Sequence, residues 1–298
     1  MISPYVRRLR LAQELRTLRA KAGVTHEQLA KKIGQSRAQI SRLENGHVAD
    51  QADVMKILDA LGVDGDPWTK VMLIAREAAE RGWWESYRGM GERQALYADL
   101  EAGAATIREY QMTFIPGLLQ TPEYTRERAE LDRRAGVGVS GSGASFTPDK
   151  VVEARSGRQR MLRRPGGPSY EVVIDELAIR RGAVRLEVVK SQLYHLAATT
   201  NASPKINVRM LPVNAVIPDY NVPRSAFSLY TFTDSDDPRV VAVDNLTGDQ
   251  VITNESEVKR YEDQYERLRD AAMPAAESLE LLARIATKPG PIGPPGSD

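Results

Sequence analysis

Residues 24–46 read VTHEQLAKKIGQSRAQISRLENG, and this stretch decides the fold of the first part of the chain. Thr25 with Gln28, and again Ser36 with Gln39, have the spacing of a capping box, in which a hydroxyl and an amide satisfy two free N–H groups at a helix N-terminus. The glycine between the two patterns supplies a residue that adopts a positive φ at low cost. The stretch therefore predicts two short helices joined by a tight turn.

Two short helices joined in this way are typical of a helix-turn-helix, whose second helix enters the major groove of DNA. In that helix, from Ser36 to Glu44, Ile40 and Leu43 are apolar at helical spacing and anchor it inward. The other side chains then face outward, where arginine binds guanine with two hydrogen bonds, serine bonds several base edges and alanine contacts a thymine methyl group. The pattern predicts four base-reading side chains: Arg37, Ala38, Ser41 and Arg42.

Further polar side chains around this helix are candidates for contact with DNA. Helix ends in a helix-turn-helix lie against the DNA backbone, which makes Asn45 a candidate phosphate contact. Gln39 has two interpretations: it caps its own helix, which we favour, or it reaches the DNA. The candidate DNA-binding set therefore also includes Thr25, His26, Gln28, Gln39 and Asn45.

Charge is distributed unevenly along the chain. The net charge is only +1 over 298 residues, but between Arg7 and Arg42 ten basic residues stand against two acidic ones, so this segment carries +8 and the remainder −7. Basic side chains that neutralise phosphates supply most of the sequence-independent affinity for DNA. The asymmetry favours a phosphate-binding first part; the alternative is a solvated helical face.

Composition excludes several kinds of site. The chain has no cysteine, which fits a reducing cytoplasm and excludes thiol catalysis and thiolate metal ligands. Its three histidines, His26, His47 and His195, are far apart in sequence, so we expect no metal site and no cofactor. No Ser-His-Asp spacing, glycine-rich phosphate loop or metal-ligand cluster occurs, so we do not expect an enzyme.

The hydropathy of the chain indicates where in the cell to expect the protein. No stretch approaches the roughly 18 apolar residues of a membrane span, and the N-terminus has no apolar run of signal-peptide length. We therefore expect a cytoplasmic, nucleoid-associated protein without a membrane partner.

The first 80 residues resemble a known family of DNA-binding domains. Over residues 10–62 the chain is similar to the Xre/Cro/phage-repressor helix-turn-helix family through Thr25, Leu29-Ala30, Gly34, Ser36, Ile40-Ser41 and Glu44-Asn45-Gly46. In that family the position of His26 usually holds a glutamine, which contacts phosphate and braces the recognition helix; a histidine can also donate to phosphate. Apolar periodicity completes a helical domain over residues 1–80, with further helices at Arg8–Lys21, Asp50–Leu61 and Asp66–Glu80.

The remainder, residues 81–287, alternates between helical and strand patterns, so the fold class we predict is α+β: an all-α helix-turn-helix bundle followed by a larger α+β domain. β-Branched and alternating runs predict strands at Thr106–Met112, Tyr170–Ile174, Lys205–Leu211, Ala226–Phe232 and Val240–Val243. Glycines within about 133–146 predict a flexible insertion, and the Pro/Gly-rich residues 288–298 predict a disordered tail.

A second resemblance spans about residues 82–285. Four stretches resemble a domain of unknown function that commonly follows an Xre-type domain in actinobacterial regulators: Trp83-Trp84, Leu100-Glu101, Ile115 to Tyr124, and Arg155 with Arg158-Gln159. The resemblance implies a regulator architecture, often encoded beside a small partner protein.

Together these features predict a sequence-specific transcriptional regulator that binds double-stranded operator DNA. One recognition helix reads only a few base pairs, so we expect a homodimer on two half-sites. The second domain would sense a small-molecule effector or bind a partner protein such as one encoded nearby. The alternative is an antitoxin-like or partner-binding repressor that acts mainly through protein–protein interaction.

Six side chains are candidates for the receptor pocket or partner surface of the second domain: Glu101, Tyr110, Gln111, Arg155, Arg158 and Gln159. An internal salt-bridge and packing cluster is an interpretation of equal weight.

Overall fold

The computed structural model describes residues 1–87, 91–136, 147–245 and 249–287. The chain divides into two units, each assembled from separate segments. Unit 1 comprises Met1–Ser86, Leu96–Gly103 and Phe232–Pro238, and unit 2 comprises Tyr87–Ala95, Ala104–Thr231 and Arg239–Asp298. The predicted tail, 288–298, and residues 137–146 of the predicted insertion lie outside the described residues.

Unit 1 begins with five helices: α1 (Pro4–Lys21), α2 (His26–Ile33), α3 (Arg37–Leu43), α4 (Gln51–Ala60) and α5 (Gly65–Ala78). The first helix begins four residues before the predicted start at Arg8. The cause is a cap that the apolar pattern does not reveal: Ser3 Oγ accepts the N–H of Val6 at 3.1 Å, and Pro4 occupies the first helical position.

Apolar side chains from all five helices form the core of unit 1. The fully buried members include Leu15, Leu29, Ile40, Ile57 and Ile74. Ile40 is 1 % exposed, as its position in the predicted recognition helix requires. The helix α6 (Glu92–Gly103) contributes its second half to this unit.

Unit 2 contains a six-stranded sheet in the order β3-β2-β1-β4-β5-β6. The strands are β1 (Ala104–Gln111), β2 (Ser169–Asp175), β3 (Ile206–Leu211), β4 (Phe227–Phe232), β5 (Val240–Val243) and β6 (Gln250–Ile252). The pairs β1–β2 and β2–β3 are parallel, whereas β4–β5 and β5–β6 are antiparallel. Thr106 contacts Thr231 and Tyr110 contacts Phe227, so β4 runs antiparallel to β1.

Helices connect the parallel strands, because a parallel pair needs a crossover that a hairpin turn cannot provide. The helices of unit 2 are α7 (Pro122–Arg134), α8 (Pro148–Arg163), α9 (Leu177–Arg180), α10 (Leu186–Ala202), α11 (Glu255–Ala271) and α12 (Ala275–Thr287). Consecutive residues of the central strand, Val172, Val173 and Ile174, are all 0 % exposed, so both faces of the sheet are covered there. The predicted α+β class is confirmed. None of the helices in the described ranges has the length and hydropathy that a membrane crossing requires.

Candidate nucleic-acid interface

Both predicted capping boxes are formed, and they fix the geometry of α2 and α3. Thr25 Oγ1 accepts the N–H of Gln28 at 3.2 Å, while Gln28 Oε1 accepts the N–H of Thr25 at 2.9 Å. Ser36 and Gln39 exchange the same two bonds at 3.2 and 3.0 Å. Gly34 ends α2 at φ 69°, in the left-handed region that lets the chain turn sharply into the next helix.

The recognition helix α3 has an anchored side and an open side. Ile40 lies in the core, whereas Arg37, Ala38 and Arg42 are exposed and Ser41 is half-buried. The four side chains predicted to read bases are therefore accessible from solvent. At the end of the helix Asn45 is exposed, and its Nδ2 donates to Ser41 Oγ at 3.4 Å.

The side chains of the capping boxes are engaged within the protein. Gln39 Oε1 accepts from both the N–H and the hydroxyl of Ser36, at 3.0 and 2.9 Å, so its contacts are those of the favoured capping interpretation. Contacts of Thr25, Gln28 and Gln39 with DNA stay predictions.

Glu44, the C-cap of α3, holds the recognition helix to its neighbours, and sequence reasoning did not identify this role. Arg19 donates to both carboxylate oxygens at 2.6 and 2.8 Å, and His26 Nε2 lies 2.9 Å from Oε2. Arg16 donates to the carbonyl oxygen of the same residue. Burial acts to raise the pKa of the Glu44 carboxyl, but the hydrogen bonds from Arg19 and His26 outweigh it and hold that pKa below its ordinary value.

These contacts define what the histidine does at its position. His26 is the first residue of α2 and reaches the last turn of α3 through Glu44, so it links the two helices of the motif. Its side chain remains 30 % exposed, which leaves part of the ring open to solvent. Because Glu44 comes directly after a basic segment that has only two acidic residues, its sequence neighbourhood was the available signal for a buried ion pair.

The basic segment is less available to DNA than its sequence suggests. Arg7, Arg10 and Arg19 are committed to carboxylates within unit 1, and the side chains of the first two are only 9 % and 5 % exposed. Four other cations of the motif are exposed: Lys31, Lys32, Arg37 and Arg42. Arg16 and Lys21 of α1 are exposed as well, so the exposed positive charge of the segment lies on α2, α3 and the second half of α1.

In unit 2, α8 places three of the six candidate pocket residues together. Gln159 Nε2 donates to the carbonyl oxygens of Gln120 at 2.7 Å and Gly117 at 3.3 Å. Arg155 donates to Gln120 Oε1, and Arg158 donates to Oε1 of a glutamine on α6, Gln94. The contacts of Gln159 and Arg155 hold the turn after β1 against α8, and that of Arg158 links α8 to α6.

The other three candidates are not on α8. Tyr110 is 2 % exposed, and its hydroxyl lies 3.4 Å from Asp175 Oδ2. Gln111 donates to Glu109 Oε1 at 2.9 Å, and Glu101 is a buried residue of unit 1. A binding role for the six residues stays a prediction. Among the described residues no three acidic or histidine side chains converge as metal ligands would.

Two family models match the chain. One is described as a helix-turn-helix domain and matches residues 10–68; the other is described as a domain of unknown function, DUF5753, and matches residues 94–284. No curated protein and no solved structure matches. The order of the two matches confirms the sequence-based recognition of a helix-turn-helix domain followed by a domain of unknown function.

Proposed function

The chain belongs to the family of the domain of unknown function DUF5753, and we propose that it is a transcriptional regulator that binds operator DNA in a sequence-specific way. The observation that carries this proposal is the exposed face of α3, with Arg37, Ala38 and Arg42 in solvent opposite a buried Ile40. The helix-turn-helix match over residues 10–68 supports the same function.

The chemistry of this face suits the major groove. Arg37 and Arg42 are free to place a planar guanidinium against guanine O6 and N7, and Ser41 and Ala38 add a hydrogen-bonding group and a methyl contact. The ion pairs at Glu44 fix the end of α3 before DNA arrives, so little ordering of the helix is left to be done on binding. Asn45 and the exposed lysines of α2 would contact phosphates.

A seven-residue recognition helix covers only a few base pairs, so the regulator would act as a homodimer on two half-sites about one helical turn apart. The larger domain would receive the signal, either a small-molecule effector or a partner protein, in the cytoplasm. In this proposal the chain regulates and does not catalyse.

The proposal is tested on the α3 face. After the operator has been found by mapping bound sites across the genome, Arg37→Ala and Arg42→Ala should each weaken operator binding by about 1–3 kcal/mol, which is roughly 5- to 150-fold in Kd. Arg76→Ala is the matched control, because Arg76 is an exposed arginine of α5 outside the motif. Unchanged operator affinity in both α3 variants would contradict the assignment.

The same operator is used to determine whether the signal is a small molecule or a partner protein. Release of the operator by a small molecule acting on purified protein alone would identify a sensor, whereas a small protein that co-purifies and alters operator binding would identify a partner-controlled repressor.

A further inference from the structure

An open groove of about 700 Å³ lies in unit 2 beside the first residue of β4. One wall is the segment 221–225, which leads into that strand, and the opposite wall is the outward side of α11. Gln250 and Ile252 of the edge strand β6 line one end. This volume falls within the range of small-molecule pockets, about 300–1,000 Å³.

The floor of the groove is aromatic. Phe227 is 2 % exposed, and the half-buried ring of Tyr261 meets it edge-on, with centroids 5.1 Å apart and planes at 65°. Tyr110 lies behind Phe227 at a centroid distance of 6.0 Å. An apolar or aromatic body placed in the groove would contact the Tyr261 ring and the exposed Val222, above the buried rings of Phe227 and Tyr110.

The rim of the groove carries positive charge that is not neutralised within the described residues. Arg224 and Arg260 are exposed, and neither guanidinium group forms an ion pair or hydrogen bond with any residue in the described ranges. The third guanidinium, of Arg267, is engaged with Asp219 at 3.6 Å. Of the two lining carboxylates, that of Asp263 pairs with a lysine and that of Glu257 does not, so the unpaired charges favour an anion.

The two residues that precede the wall 221–225 have an unusual backbone conformation. Asp219 and Tyr220, just before it, have φ values of 58° and 53°, and such positive values are uncommon outside glycine. Gln264 fixes the wall to α11 by donating to the carbonyl oxygen of Asn221 at 2.8 Å. Backbone of this kind persists where surrounding contacts impose it and is enriched at ligand clamps.

The topology of the sheet points to the same place. The strands β1, β2 and β3 are parallel, and after β3 the chain returns to the opposite side of β1 to form β4. In open α/β sheets ligands bind outside the carboxyl ends of the parallel strands, where the strand order reverses. Tyr110 is at the carboxyl end of β1 and contacts Phe227, so the groove floor adjoins that point.

We propose that this groove binds a small organic anion with an apolar body. Its carboxylate, sulfonate or phosphate group pairs with Arg224 and Arg260, and its body packs on Tyr261 over Phe227. The use of this site as the regulatory input rests on the function proposed above, whereas the binding itself does not.

The test uses two fluorescent probes with the full chain: anilinonaphthalenesulfonate, an aromatic anion, and N-phenylnaphthylamine, which has the same body without the sulfonate. The anion should bind saturably at one site per chain. The double variant Arg224→Gln/Arg260→Gln should weaken binding of the anion by about tenfold or more, because it removes charge-assisted hydrogen bonds. Binding of the neutral probe should be unchanged. Tyr261→Ala should weaken the binding of both probes.

Arg284→Gln is the matched control, because Arg284 is an exposed arginine on α12 that does not line the groove. Melting curves of each variant separate loss of the site from loss of the fold. The proposal is overturned if the double variant binds the anion as the unmodified chain does, or if Arg284→Gln weakens it equally. It is also overturned if the double variant dissociates a dimer in light scattering, since the groove would then hold a second copy of the chain.

Operator binding measured on the same samples distinguishes the two proposals. A chain that binds operator DNA but not the anion contradicts only the groove proposal, and a chain that binds the anion but no DNA contradicts only the proposed function.

Discussion

Glu44 is the residue on which the geometry of the recognition helix most depends. Its side chain is 6 % exposed and accepts hydrogen bonds from Arg19 and His26, so removing its charge leaves the guanidinium of Arg19, whose side chain is 17 % exposed, without its carboxylate. Hydrogen bonds to charged groups contribute about 1.5–3 kcal/mol each to stability. We expect Glu44→Gln to lower the free energy of unfolding by about 2 kcal/mol at neutral pH, as measured by urea denaturation.

The pH dependence of this effect follows from the lowered pKa of Glu44. A carboxyl with a lowered pKa stabilises the folded state above its unfolded value, about 4.3, and this stability is lost as the pH falls through the folded value. The difference in the free energy of unfolding between Glu44→Gln and the unmodified chain should therefore shrink on acidification below about pH 4. Glu27→Gln is the matched control, because Glu27 is an exposed glutamate on α2; an equal effect of the two variants would contradict the role of Glu44.

Among the elements, the turn between α2 and α3 is the one most fully specified by sequence. Gly34 has a φ of 69°, and a Cβ built there meets no atom within 4 Å, so the demand on this position is conformational and not steric. Gly34→Val should lower the free energy of unfolding by about 1–2 kcal/mol. Gly34→Asn should lower it much less, because asparagine tolerates the left-handed region. Urea denaturation of the pair measures the difference, and equal losses would show that another factor limits substitution at this turn.

Local signals account for the elements that the sequence predicted. Both capping boxes and the glycine turn act within four residues, and the five helices of unit 1 and five of the strands follow from their apolar pattern. The strand β6 was missed because three residues with an exposed Gln250 are too short for an alternating pattern. The order of the strands is set by pairing between residues far apart, such as Thr106 with Ser169, for which the sequence has no local signal.

The same distinction applies to the candidate sites. The open face of α3 could be predicted from periodicity, because one buried position, Ile40, fixes the direction of its neighbours. The groove of unit 2 could not, because Val222, Arg224, Tyr261 and Ile252 come from three separate elements and are joined only by the fold.

Across the whole molecule, the feature least visible in sequence is that unit 1 is discontinuous. The acidic residues Asp234, Asp236 and Asp237 follow β4 and would be interpreted as a polar turn, yet they belong to the same unit as α1. Arg7 lies 2.7 Å from Asp237 and 2.9 Å from Glu77, and Arg10 lies 3.0 Å from Asp236. The chain thus passes from β4 directly into a segment of unit 1.

This arrangement predicts that residues 1–86 alone are much less stable than unit 1 within the full chain. The fragment keeps Arg7 and Arg10, whose side chains are 9 % and 5 % exposed, but loses three of the carboxylates that compensate them. Breaking a buried ion pair by removing one partner costs about 3–5 kcal/mol, which is a large part of the total stability of a small domain. We expect the fragment to melt at a clearly lower temperature than the full chain in thermal unfolding followed by circular dichroism.

Whether the lost carboxylates cause the lower stability is tested within the fragment itself. Replacing both arginines by methionine should raise the melting temperature of the fragment, because apolar side chains of similar volume do not need the missing carboxylates. The same double substitution in the full chain should have the opposite effect, since it leaves Asp237, whose side chain is 7 % exposed, without a cationic partner. If the fragment melted at the same temperature with arginines as with methionines, its instability would not come from the loss of Asp234, Asp236 and Asp237 as partners of the two arginines.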